Sequence, residues 1–80
     1  MDKESILIVN AVTVNLLEFE LNKERIKAAI YKRAFENLDE KHKKGELPDH
    51  YNAHHKDLGL KYAIATTLVE TLTLELEKYQ

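Results

Sequence analysis

Eighty residues with two glycines, one proline and no cysteine set narrow limits on this chain. A chain of this size makes one domain at most, and its core is marginal unless a disulfide, a metal or a partner chain adds to it. The absence of cysteine excludes disulfides and thiolate metal sites, and a formal net charge of -2 implies no general attraction to nucleic acid or to an anionic membrane.

So few helix breakers favour long uninterrupted elements over an all-β fold. Asp2 and Glu4 suit the positive end of a helix macrodipole, and Asp2 or Ser5 can cap its free amides. From Leu7 the apolar residues fall on two helical seams. The first is Leu7, Val14, Leu17, Leu21, Ala28, Tyr31, Phe35 and Leu38; the second is Val9, Val12, Leu16, Phe19, Ile26 and Ile30. Asn15, Glu18, Asn22, Arg25, Lys32, Glu36 and Glu40 form a polar strip between them. Residues 6–21 are also rich in β-branched side chains, so a strand with a new helix capped by Asn22 competes. No second strand candidate lies nearby to pair with it, which favours one continuous helix. Ile6 to Val9 is too short an apolar run to cross a membrane. Asp2 and Glu4 around Lys3 deny it a basic leader region. The expectation is a cytoplasmic protein with no membrane partner.

Lys41, His42, Lys43 and Lys44 suit the negative end of this first helix. Gly45 is suited to a left-handed cap after it, and Pro48 and Asp49 open the next helix. From there Tyr51, His55, Leu58, Tyr62, Ala65, Val69, Leu72, Leu76 and Tyr79 recur at alternating spacings of four and three, a heptad seam. A second seam of Leu60, Ile64, Leu68 or Thr67, Thr71 and Leu74 runs beside it. So short a connection makes the helices antiparallel neighbours. A bend at Glu46 and Leu47 then pairs His42 with Tyr51, Leu38 with His55, Phe35 with Leu58, Tyr31 with Tyr62 and Ala28 with Ala65. It continues with Glu24 and Val69, Leu21 and Leu72, Leu17 and Leu76, and Val14 and Tyr79. Glu24 is the one charged residue in that ladder. The fold expected is all-α: a single helical-hairpin domain over residues 1–80, with a helix at about 4–44, a turn at 45–48 and a helix at about 49–79. The second seams need a further neighbour, so the hairpin is expected to dimerise into a four-helix bundle. Ile6, Val9, Val12, Leu16, Phe19, Ile26, Ile30, Leu60, Ile64, Leu68 and Leu74 would form the interface.

His42, His50 and His54, with Asp57 one turn after His54, are the candidate metal ligands. Asp39 stands three residues before His42, and His55 packs on the seam. Solvated side chains at a loop end account for them as well, and no four-ligand motif is present, so no metal and no cofactor are expected. No cysteine nucleophile, glycine-rich phosphate loop or H-E-x-x-H motif occurs, and the single serine, Ser5, lies at the helix-capping position; no enzyme is expected.

The stretch from Lys23 to Lys44 carries Lys23, Arg25, Lys27, Lys32, Arg33, Lys41, Lys43 and Lys44, but helical phasing scatters them and Glu24, Glu36, Asp39 and Glu40 interleave. In architecture alone the chain resembles the Rop-type RNA-binding dimers, helical hairpins paired into four-helix bundles; that resemblance implies an RNA- or DNA-binding regulator as the alternative reading. The principal expectation is a small non-enzymatic accessory or regulatory protein, a homodimer acting on a protein partner. Free-standing chains of this kind are often carried by phages or mobile elements.

Overall fold

The computed structural model describes residues 2–79. It is a two-helix hairpin, α1 spanning Lys3–Lys43 and α2 spanning Asn52–Glu77, joined through a single 3-10 turn at Asp49–Tyr51. The result is a rod of 63 × 17 × 13 Å. A 41-residue helix at 1.5 Å per residue accounts for the long dimension.

Asp2 caps α1. Its Oδ1 accepts the Ser5 N–H at 2.8 Å, and that bond holds the Asp2 carboxyl below the usual carboxylate range. A lowered carboxyl contributes stability above its ordinary range and loses it as pH falls through the folded value. Beyond the cap α1 runs unbroken through Asn22, and the described residues contain no strand. At the other end the Gly45 N–H bonds to His42 O at 3.1 Å and the Glu46 N–H to Lys41 O at 2.9 Å, the paired bonds of a Schellman motif. Gly45 has φ 72°, the single positive φ among the described residues. A Cβ there would meet nothing within 4 Å, so the cost of a side chain is all backbone. Gly45→Val should lower stability by about 1–2 kcal/mol, read as a lower urea midpoint; an unchanged midpoint would show that the left-handed cap is dispensable.

Pro48 does not open the α-helix directly. It is extended, with φ -58° and ψ 143°, and its carbonyl accepts the Tyr51 N–H at 2.9 Å. The chain winds one tight 3-10 turn before settling into α-geometry at Asn52, because proline restricts the residue before it and the first turn has no upstream carbonyls to use. At the far end Lys78 and Tyr79 bond to Glu75 and Leu76, three residues back, so the last turn is tightened in the same way.

The interhelix seam follows the ladder. Leu21 and Ala65 are buried. Val14, Leu17, Ala28, Tyr31, Phe35 and Leu38 on α1, and His55, Leu58, Tyr62, Val69, Leu72 and Leu76 on α2, are half-buried. Phe35 stacks on His55 at 5.1 Å and tilts against Tyr62 at 6.5 Å, one turn to either side of Leu58. The ladder opens at its ends, where His42, Tyr51 and Tyr79 are exposed. Glu24 does not swing out to solvent. It is 8% exposed, with Lys27 Nζ 3.4 Å from its Oε1. A carboxylate sheltered in an apolar seam with one weak partner is a poor source of stability. Glu24→Leu should raise the thermal midpoint, a gain of about 1 kcal/mol or more; a fall would mean that Glu24 has a role in association that the single hairpin does not reveal.

Candidate functional site

Two features of the rod carry functional potential. The first is an apolar face. Ile6, Val9, Val12, Leu16, Phe19, Ile26, Ile30, Leu60, Ile64, Leu68 and Leu74 are all exposed, from Leu68 at 41% to Phe19 at 65%. The cause is geometric: one helix packed on one neighbour shelters a single stripe, and the second stripe of each helix is left facing outward. Leu76 and Glu77 lie along the groove that holds Glu18 and Leu21, so α2 ends there and the first three turns of α1 project beyond it. In that projection Ile6, Leu7, Ile8, Val9 and Val12 all stand in water.

The second feature is a polar cluster at the loop end. The structure divides the four histidines. His50 and His54 lie around Tyr51, with ring centroids 4.3 and 6.0 Å from it, and Asp57 Oδ2 is taken by Lys61 at 2.9 Å. These three candidate ligands do not converge with His42. His42 instead meets Asp39 and His55, and the ligand atoms of the three lie within 4.8 Å of one another. His55 Nε2 is 3.0 Å from Asp39 Oδ1, while Asp39 Oδ2 receives Lys43 Nζ at 2.9 Å. The Lys43 bond first, and the His55 bond second, hold the Asp39 carboxyl below the usual carboxylate range. The pairing across the hairpin is therefore present above that range and is lost as acid protonates Asp39.

Aromatic packing positions the cluster. The His55 ring is sandwiched, Phe35 on one side and His42 on the other at 4.7 Å and 14°. The Phe35 ring comes so close to α2 because residue 59 is glycine; a Cβ there would stand 3.2 Å from Phe35 Cε2. Neither the cluster nor the role of Gly59 emerges from the four-residue spacing of His50 and His54. The interhelix register contains the signal: pairing Leu38 with His55 places Asp39 and His42 within a turn of it.

Four of the eight basic residues from Lys23 to Lys44 are paired along α1: Lys23, Lys27, Lys43 and Lys44 with Glu20, Glu24, Asp39 and Glu40. None of the helices in the described residues is long and apolar enough to cross a membrane. No protein-family model matches the chain, and no curated protein or solved structure is significantly similar to it. What is established is a small all-helical hairpin.

Proposed function

We propose that this chain is a non-enzymatic accessory or regulatory protein that works in the cytoplasm as a homodimer, two hairpins joined into a four-helix bundle that acts on another protein by contact. The observation that carries this reading is the imbalance of the single hairpin. Its buried apolar residues among those described are Leu21 and Ala65, while the eleven second-stripe residues stand at 41–65% exposure. Each leaves on the order of 100 Å² in water, so together they supply more than the roughly 800 Å² per partner that a standard interface buries. A second copy is the occupant that fits, because a two-fold interface uses the same patch on both chains and both helices contribute exposed apolar residues to it. The rod shape supports it as well: the stripe runs along the helices, as the contact line of a bundle does.

Sedimentation equilibrium at micromolar concentration tests the dimer. The expected mass is twice the 9.3 kDa chain; a monomeric mass refutes the bundle. Labelled RNA at low salt tests the regulatory class. No mobility shift is expected, and a shift that weakens steeply with salt would replace protein contact with nucleic-acid binding.

A further inference from the structure

The cluster at the loop end holds chemistry that the bundle does not use. Two imidazoles and a carboxylate are the donor set that first-row divalent ions accept. Such an ion, held at roughly 2.0–2.1 Å from each ligand, sets neighbouring ligand atoms about 3.0–3.4 Å apart. His55 Nε2 and Asp39 Oδ1 already stand 3.0 Å apart, and the His42 ligand atom lies within 4.8 Å of both. We propose that Asp39, His42 and His55 bind one zinc-class divalent ion per chain, with solvent completing the coordination shell.

Three further observations support the site. Asp39 uses its oxygens separately: Oδ2 is held by Lys43, which orients the carboxylate and leaves Oδ1 directed at His55. Such outer bonds are what fix a ligating group in place. His55 is held by Phe35 on its far face, and its side chain is 17% exposed, so one imidazole is preset. His42 is exposed, and a side-chain rotation that gives up its stack on His55 would bring a ring nitrogen to the ion. His42 also lies in the last turn of α1, where the helix carbonyls favour a cation. Lys43, whose Nζ is 2.9 Å from Asp39 Oδ2, opposes a cation at the same end, as do Lys41 and Lys44, which favours modest affinity. The rival is a metal-free His55–Asp39 pair that latches the hairpin.

Calorimetric titration of the full chain with zinc chloride in chelator-treated buffer separates the two. One ion per chain is expected, with proton release on binding and loss of binding at pH 5. His42→Ala changes an exposed residue and leaves the hairpin folded, as helical circular dichroism should confirm; it should weaken zinc binding at least tenfold, as should Asp39→Asn. The double variant His50→Ala, His54→Ala should bind as the unmodified chain does. No saturable zinc binding would overturn the proposal, and so would binding that survives His42→Ala and disappears in the double variant.

Discussion

Ile64→Glu should convert the protein to a monomer at micromolar concentration and lower its thermal midpoint on the order of 15 °C. The contrast between the two states of association makes this informative. In a lone hairpin Ile64 is 60% exposed, and an exposed substitution of this kind alters stability by within about 0.5 kcal/mol; glutamate is even the better helix former. In the proposed bundle the same position is covered by the partner, and each chain would place an unpaired carboxylate in the interface. Uncompensated buried charge costs about 3–5 kcal/mol. Because most of the apolar burial would come from association, monomer formation and unfolding are expected together. Glu36→Gln, on the polar strip, serves as the control and should change neither mass nor midpoint. An Ile64→Glu chain with the unmodified mass and midpoint would remove Ile64 from any interface.

The hairpin was legible in the sequence because three signals of different origin agree. Helical periodicity marks which residues face inward, Gly45 and the basic last turn mark where α1 stops, and the ladder tests both against each other. Leu21 and Ala65, each placed in an apolar pair, are the two apolar residues that the structure buries. The first turn after Pro48 was less legible. Periodicity does not distinguish 3-10 from α winding over three residues, and the local carbonyl supply decides it. The cluster was obscured for another reason. Spacing along one helix finds His50 and His54, four apart, but ligands that meet across a hairpin are set by register and by ring packing. There the decisive residues are Phe35 and Gly59, whose close approach holds the His55 ring beside Asp39. A glycine inside an otherwise helical pattern is the available sign of such an approach.

The cluster lies far from the projecting start of α1, although the apolar stripe itself extends to Leu60, five residues from His55. Asp39 and Val12 are separated by 27 positions on one straight helix, about 40 Å. Zinc at the loop end and substitutions in the projecting segment, such as Val12→Lys, should therefore perturb stability independently, adding to within a few tenths of a kcal/mol. A zinc-induced change in sedimentation mass would instead mean that the ion bridges chains. The apolar projection of α1, at the opposite end from the loop, bears on association alone.

Deleting residues 2–13 should weaken association at least tenfold and lower the thermal midpoint. Residues 6–12 are exposed throughout, and α2 ends beside Glu18 and Leu21, so within one hairpin this segment contributes helix length but no interhelix packing. For a lone hairpin its removal is close to neutral: isolated helix ends add little stability in water. In a bundle, Ile6, Val9 and Val12 each stand to bury about half a side chain, on the order of 1 kcal/mol apiece and doubled by symmetry. Truncation also removes the Asp2 cap, itself worth about 1 kcal/mol, so a full-length variant is needed beside it. Ile6→Lys, Val9→Lys and Val12→Lys combined keep the cap and the helix while placing three charges on the stripe. If the projection joins the interface, that variant should dissociate at concentrations where the unmodified chain is dimeric. If it remains as tightly associated as the unmodified chain, the contact begins nearer Leu16 and the first three turns of α1 lie outside it.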